Sequence, residues 1–178
     1  MSSTPKIITL FLIFHLSIVR LTLIDGAETE THLHFYFHDI PSGNNPTAVR
    51  VAEAPGTNTS STGFGATVMM DDPLTAGPDL SSALVGRAQG LYALASRDET
   101  GHLLMAMNLV FMDKENNGST LAVLGRNSVF DTIREMPVVG GSGKFRYARG
   151  FIHAKTVTMD MTGNAVVEYN VTVYHQGQ

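Results

Sequence analysis

The chain has 178 residues, enough for one domain and a short leader, and it carries 12 Lys and Arg against 16 Asp and Glu. Its 43% of hydrophobic and 16% of charged residues exclude a long disordered protein, and the net charge of −4 argues against a nucleic-acid partner. The absence of Cys excludes disulfides, thiolate metal ligands and a Cys nucleophile. Seventeen Gly and seven Pro indicate many turns and favour an all-β fold.

Residues 1–27 have the pattern of a secretory signal peptide. Lys6 provides the positive start, Ile7–Val19 forms the apolar core, and small residues precede a plausible cleavage site at the end of the segment. The core is about 13 residues long, which is short for the ~30 Å hydrocarbon layer of a membrane. We therefore predict a secreted, extracellular protein whose domain comprises residues 28–178 and keeps no membrane segment; the alternative is a single membrane anchor.

Three Asn-x-Ser/Thr sequons fit a secreted chain and predict glycosylation at Asn58, Asn117 and Asn170. The first two lie in loops rich in Gly, Ser and Thr. Asn170 lies inside a strand pattern, so it can be modified only if its side chain faces outward.

Extended segments separated by turn residues follow one another through the rest of the chain. The clearest is His32–Asp39, which alternates so that Leu33, Phe35, Phe37 and Asp39 share one face. The other predicted strands are Ala48–Glu53, Phe64–Met70, Leu84–Ser96, His102–Met112, Ser119–Leu124, Pro137–Val139, Lys144–Met159 and Ala165–His175.

About eight strands joined by short turns imply a sandwich or a barrel. Closure into an eight-stranded antiparallel up-and-down barrel removes exposed edges, and its interior can hold one small ligand. Glycines inside the strand patterns predict the bends or bulges of a tightly curled sheet, at Gly86, Gly90, Gly125 and Gly150.

Two stretches are interpreted as turns. Asp71-Asp72-Pro73 follows the third strand, and because neighbouring strand residues point to opposite faces, its two carboxyl groups are not expected to share a proton. Gly140–Gly143 precedes a strand rather than a helix, which predicts a hairpin and excludes a phosphate-binding loop.

Asp39 is the strongest candidate for chemistry, because it ends the apolar face of its strand. Burial there should raise the pKa of the carboxyl group, which suits a general acid. The alternative is a structural carboxylate that begins the turn at Ile40 and Pro41.

Three histidines, His32, His34 and His38, share the opposite face of the same strand. A metal site needs ligands that converge from several elements, so we predict a solvated or subunit-facing surface and no metal site.

Several arginines lie inside strand patterns, and a buried Arg needs an anionic or multiply accepting partner. An inward Arg facing Asp39 would form a small polar cluster in an apolar cavity, the general form of a small-molecule site. The candidates are Arg87, Arg134 and Arg149, whereas Arg126 and Arg146 fit surface ion pairs better.

Five blocks of this sequence resemble the plant dirigent protein family. They occur in the order of the family between His32 and Tyr174: His38–Ile40, Gly86–Tyr92, Gly118–Leu121, Arg134–Gly143 and Phe145–Gly150. The resemblance implies an eight-stranded barrel of the dirigent and allene oxide cyclase type, a homotrimer, and secretion of a glycoprotein to the cell-wall space. It also implies that an external oxidase, a laccase or peroxidase, makes phenoxy radicals, whose coupling the protein steers without a cofactor of its own.

The resemblance also assigns the site. It implies that Asp39 and Arg134 are catalytic, and that Asn127 stands where other members have a second carboxylate. Tyr92 would line the cavity together with further substrate-binding residues, Phe37, Arg87 and Arg149.

Leu91–Ala93 and Leu124–Asn127 look more like the branch that includes pterocarpan synthases. In that reaction an acid, here Asp39, would protonate the 4-hydroxyl of a 2′-hydroxyisoflavanol. Water would leave, a quinone methide would form, and the 2′-phenol would close the ring.

Three functions therefore remain open for one phenol-binding barrel. The first is stereoselective coupling of monolignol-type phenoxy radicals, in lignan or phenylpropanoid biosynthesis. The second is a carbon–oxygen hydro-lyase of the pterocarpan synthase kind, in isoflavonoid biosynthesis and plant defence. The third is a non-catalytic barrel associated with cell walls or lignin. A fold does not fix a chemistry, so an experiment must distinguish them. A requirement for an oxidant would indicate the first function, and turnover without an oxidant would indicate the second. Loss of Asp39 with no effect on either reaction would favour the third.

Overall fold

A computed structural model describes residues 28–176, and nine strands fill most of that range. They are β1 (Glu28–Asp39), β2 (Ala48–Ala52), β3 (Thr67–Thr75), β4 (Leu84–Leu94), β5 (His102–Phe111), β6 (Thr120–Ser128), β7 (Arg134–Ser142), β8 (Arg149–Met159) and β9 (Ala165–Gln176). Two short 3-10 turns, Thr57–Thr59 and Gly143–Phe145, complete the elements. Neither is long or apolar enough to cross a membrane, and no other helix occurs in this part of the chain. The predicted signal peptide lies outside the described residues.

The strands form one antiparallel sheet that closes on itself. Each strand from β2 to β8 pairs with the next in sequence, and β9 pairs with β1 along its whole length. The barrel closes where Tyr36 and Phe37 of β1 pair with Thr75 and Leu74 of β3. β2 pairs with the other half of β3. β1 and β2 therefore lie end to end beside β3 and together occupy one strand position, so that nine strands build an eight-stranded barrel. This confirms the predicted all-β fold.

One end of the barrel, here called the closed end, is filled with apolar side chains. Its fully buried members include Phe35, Leu109, Phe111, Leu121 and Phe145. Their rings meet edge to face, with centroids 6.0 Å apart for Phe35 and Phe111 and 5.5 Å apart for Phe111 and Phe145. Close packing of this kind supplies most of the stability of a domain.

Several of the strand glycines, among them Gly90 and Gly150, allow neighbouring backbones to approach closely. A Cβ atom at Gly90 would collide with the carbonyl oxygen of Ala106, and one at Gly150 with that of Thr172. Of the predicted bulges, only one coincides with a change of register, between Leu74 and Thr75 opposite Gly86. At Gly90 and Gly150 it is therefore the close approach of strands that requires glycine.

The turn predicted at Asp71-Asp72-Pro73 is wrong, because β3 runs through it to Thr75. The backbone N–H of Asp71 donates to the carbonyl of Thr47, on the side where β2 gives way to β1. Backbone N–H groups two residues apart in a strand point toward the same neighbouring strand, so an N–H at position 73 would point to this side as well. The N–H that Pro73 lacks therefore falls at the break between β2 and β1. A proline is tolerated there within a strand.

The strand predicted from Lys144 begins only at Arg149. Gly143 and Tyr147 adopt φ values of +62°, in the left-handed region, and these interrupt the extended chain. Gly140 and Gly141 belong to β7, so the β7–β8 connection lies later than the predicted hairpin.

Candidate active site

At the opposite, open end of the barrel lies a cavity of about 330 Å³. It is surrounded by the ends of β1, β4, β6 and β8 and by the beginnings of β5, β7 and β9. Most of its wall is apolar, and its polar side chains are few: Asp39, Tyr92, Asn127, Arg134, Thr156 and Tyr169. A mostly apolar cavity with a few convergent polar groups is the usual form of a small-molecule site.

Asp39 is the last residue of β1 and follows Phe35 and Phe37 on the inward face. Burial raises the pKa of Asp39 to about 6, while the hydrogen bond from Tyr92 acts in the opposite direction. The Tyr92 hydroxyl is 3.5 Å from Asp39 Oδ1, longer than a strong O–H···O bond. The carboxyl group is therefore partly protonated near neutral pH and remains available to a ligand hydroxyl, as an acid catalyst requires.

Arg134 begins β7, and only 4% of its surface is exposed. Its Nε donates to Asn127 Oδ1 at 3.2 Å, and Nη1 donates to Thr156 Oγ1 at 2.9 Å. Within residues 28–176 no carboxylate lies within ion-pair distance of the guanidinium.

Burial lowers the pKa of Arg134, an effect that Tyr169 and Asp131 oppose, and an Arg side chain keeps its proton in proteins. A buried cation held only by neutral oxygens favours a ligand that brings an electron-rich oxygen. A phenol is such a ligand.

Two aromatic rings form a flat part of the wall. Phe37 and Tyr169 stack with centroids 5.4 Å apart and an interplanar angle of 3°. Tyr169 is fully buried, and burial raises the pKa of its phenol, so it stays neutral. Such a surface suits an aromatic ring of a ligand.

Sequence reasoning missed a second carboxyl group next to this site. Asp72, on the inward face of β3, is 0% exposed, and its Oδ1 accepts a hydrogen bond from Thr47 Oγ1 at 2.5 Å. Burial raises the pKa of Asp72 to about 7; the bond from Thr47 lowers it, and the charge of Asp39 raises it further. The alternation of Val68, Met70 and Asp72 could have revealed it, had the segment not been interpreted as a turn.

Thr156 and Tyr169 were also missed. Tyr169 lies in the buried alternating series of β9, between Val167 and Val171, where only the barrel geometry tells a cavity wall from a core position. Thr156 lies where the β8–β9 register shifts, so alternation does not give its face.

Five of the seven predicted site residues meet at the cavity: Phe37, Asp39, Tyr92, Asn127 and Arg134.

The assignment of the remaining two is corrected, because Arg87 and Arg149 lie on the outside. Arg87 Nε is 2.6 Å from Asp71 Oδ1, and Arg87 alternates with Gly86 and Ala88, whose faces are buried. Arg149 pairs with Glu28 at 2.7 Å.

The three histidines of β1 divide into two kinds. His32 and His34 are exposed, whereas His38 is buried and its Nε2 lies 2.7 Å from Thr75 Oγ1, so a solvated or subunit-facing role for His38 is wrong. Within residues 28–176 no three His, Asp or Glu side chains are grouped so as to hold a metal ion.

The three sequon asparagines are all exposed. Asn58 lies in the first 3-10 turn, Asn117 in the β5–β6 loop, and Asn170 on the outer face of β9. Each is accessible to modification, and glycosylation itself stays a prediction.

The family model described as Dirigent-like protein matches residues 30–174. Dirigent protein 21 of Arabidopsis thaliana is 56% identical over 146 residues, which cover 82% of this chain and 77% of that protein. Pterocarpan synthase 1 of Glycyrrhiza echinata is 51% identical over 150 residues, covering 83% and 79%. Among solved structures, the pterocarpan synthase dirigent protein PsPTS1 has a TM-score of 0.79 at 51% identity, covering 84% of this chain and 97% of that one.

Proposed function

The chain belongs to the dirigent family, and from this premise we propose that its cavity removes water from a phenolic alcohol and holds the resulting quinone methide for ring closure. The observation that carries the proposal is the presence in one cavity of a protonatable carboxyl group, Asp39, and a buried cation, Arg134, that has no carboxylate partner among residues 28–176. Identities of about half to proteins named pterocarpan synthase support the same reaction class, with a 2′-hydroxyisoflavanol as the substrate.

The reaction is a net loss of water with no change of redox state. Protonated Asp39 gives its proton to the 4-hydroxyl of the substrate, the C4–O bond breaks with its electron pair on oxygen, and the departure of water leaves the quinone methide in its protonated form. The 2′-phenol oxygen then attacks C4, and its proton passes to the Asp39 carboxylate, which restores the acid. The balance needs no oxidant, reductant or further reactant.

The other cavity residues bind and orient. Arg134 and Asn127 contact phenolic oxygens, whose electron density stabilises the quinone methide, and Tyr92 positions Asp39. Phe37 and Tyr169 stack against an aromatic ring, and the apolar wall excludes water that would otherwise add to the intermediate.

Stereoselective coupling of monolignol-type radicals is the second candidate. It is favoured by the 56% identity to a relative named dirigent protein and by the aromatic wall, which can fix the pose of a ring. A laccase or peroxidase would supply the radicals, and the cavity would hold the quinone methide that follows coupling.

Chiral chromatography of products distinguishes the candidates. One sample contains racemic cis- and trans-isoflavanols without oxidant, and the other contains coniferyl alcohol with a laccase. Enantioselective water loss in the first sample, abolished in Asp39→Asn and retained in the surface variant Asp71→Asn, is the expected result. An enantiomeric excess only in the second would support coupling, and racemic or no product in both would support non-catalytic binding.

We also propose that copies of the chain associate through the outer face of β2–β6. There an apolar row crosses five strands in register: Val49, Met69, Leu91, Ala106 and Leu124. Burial of such a row between copies is favourable, and the family resemblance suggests a trimer. Light scattering should give the mass of three chains, and Met69→Glu should reduce it to that of one.

Secretion and glycosylation complete the proposal. A fusion of residues 1–27 to a reporter should direct it out of plant cells, whereas failure to export would contradict the signal peptide. Treatment of the secreted protein with an N-glycosidase should lower its mass, and Asn58→Gln, Asn117→Gln and Asn170→Gln should identify the occupied positions.

A further inference from the structure

The buried carboxyl group of Asp72 lies beside the proposed acid although it does not line the cavity. β1 and β3 pair at Tyr36 with Thr75 and at Phe37 with Leu74. Continuing this antiparallel register by two residues places Asp39 opposite Asp72, and side chains opposite one another on a face are close neighbours. Both residues belong to the inward series of their strands.

One oxygen of Asp72 has no hydrogen-bond partner within residues 28–176. Thr47 bonds Oδ1, whereas Oδ2 is buried and accepts no hydrogen bond from the described residues. A buried carboxylate with an unsatisfied oxygen is unfavourable, whereas a protonated Oδ2 is a donor that needs an acceptor. When Asp39 gives up its proton, its carboxylate becomes that acceptor.

The groups around the two carboxyls do not neutralise them. Tyr92 of β4 and Tyr169 of β9 face the pair as neutral phenols, and Arg134 of β7 is held by Asn127 and Thr156. Two carboxyls that cannot both ionise titrate as a pair rather than as separate groups.

The outer face of β3 offers little compensation. Arg87 is bonded to Asp71, which precedes Asp72 in the chain and lies on the outer face. Its charge lowers the pKa of Asp72 less than burial raises it, and the charge of Asp71 opposes it.

We propose that Asp72 is a positioning residue that acts through Asp39: the two carboxyl groups share one proton, which stabilises Asp39 after it has protonated the leaving group. The proposal rests on the proposed function for its consequence in catalysis. The sharing of the proton is independent of any substrate.

The first experiment is the pH profile of kcat/KM for wild type, Asp72→Asn and the control Asp71→Asn. In wild type, a protonated Asp72 that donates to the Asp39 carboxylate favours ionisation of Asp39 and so lowers its pKa. Asp72→Ala removes this donor, so the alkaline limb should move by about one unit to higher pH, whereas the amide of Asp72→Asn can still donate and should move the limb less. An unmoved limb with a simple loss of rate, equal in Asp72→Asn and Asp72→Ala, would overturn the proposal.

The second experiment needs no substrate and measures Tm between pH 5 and 8. The pKa of Asp72 is raised on folding, so its stabilising effect is complete below the unfolded pKa and is lost as pH rises through about 7. The Tm of wild type should therefore fall across this window more steeply than that of Asp72→Asn. Asp71→Asn should follow wild type, because the pKa of Asp71 is lowered in the fold and it stays ionised throughout.

Asp39→Asn and the double variant complete a cycle in the same measurement. If the proton is shared, Asp39→Asn removes the charge that raises the pKa of Asp72 and moves its ionisation to lower pH, Asp72→Asn does not move that of Asp39 to lower pH, and the changes are not additive. Additive changes would show two independent carboxyls and overturn the proposal, whether or not the protein proves to be a hydro-lyase. The buried His38 titrates in all four proteins and cancels from the comparison.

Discussion

The two ends of the barrel are built from the same strands but serve different purposes. At the closed end, Phe35 and Phe145 pack among apolar side chains and are almost completely buried. At the open end, four residues further along β1, Asp39 faces a cavity that also contains the buried guanidinium of Arg134. The difference shows how a small barrel tolerates a polar interior: dense packing at one end stabilises the strands that hold costly groups at the other.

The largest effect should come from removing the acid at the open end. Asp39→Asn should lower kcat by about 10²–10⁴-fold, the usual contribution of a general acid. The substitution leaves shape unchanged and removes a carboxyl whose ionisation opposes folding, so Tm at pH 7 should not fall. Initial rates and thermal melts on the same preparations check both statements. An Asp39→Asn protein that keeps its activity but melts at a lower temperature would show that Asp39 serves stability rather than catalysis.

Phe145→Ala tests the opposite end. Loss of this buried ring should lower the free energy of unfolding by about 3–5 kcal/mol, through lost transfer energy and the cavity left behind. Urea denaturation measures the change, with Phe130→Ala as the matched control, since Phe130 at the cavity rim is 69% exposed. Equal destabilisation by the two variants would contradict the division of roles.

Asn127→Asp should change chemistry without harming the fold. A carboxylate beside Arg134 would form the ion pair that the described cavity lacks, and the guanidinium would attract a phenolic oxygen less strongly. We expect kcat/KM for water loss to fall about tenfold, since a hydrogen bond to a charged group contributes about 1.5 kcal/mol or more. The exposed Asn108→Asp of β5 is the control, and a rise in oxidant-dependent enantiomeric excess in Asn127→Asp would favour the coupling function.

The smallest effects should come from the two arginines of the outer surface. Arg87→Ala and Arg149→Ala each remove an exposed ion pair, which contributes at most about 1 kcal/mol. Neither should alter kcat/KM. A tenfold loss of activity in either variant would return that residue to the site and contradict its placement here.

The sequence was most informative where period-two alternation was uninterrupted. His32–Asp39 predicted both a strand and the inward position of its last carboxyl group, because burial on one face imposes that pattern. Arg87 shows the limit: an Arg inside a strand can face either way, and only the register against its neighbours decides.

Asp72 shows a different limit. The local turn preference of Asp-Asp-Pro outweighed the alternation that preceded it, and the break between β1 and β2, which makes Pro73 acceptable, is a tertiary feature. Asn127 and Arg134 were assigned from the family resemblance rather than from spacing, because nothing local indicates that they meet.

The pairing of β1 with β9 determines the order in which the barrel can be completed during translation. His34 and Glu168 meet across this seam although 134 positions separate them in the chain. The ribosome therefore delivers β1 first and its long partner last, and one edge of the strand that bears Asp39 stays unpaired while the intervening strands emerge. An exposed alternating edge is a template for aggregation. Slow elongation after β8 should thus lower the yield of native protein.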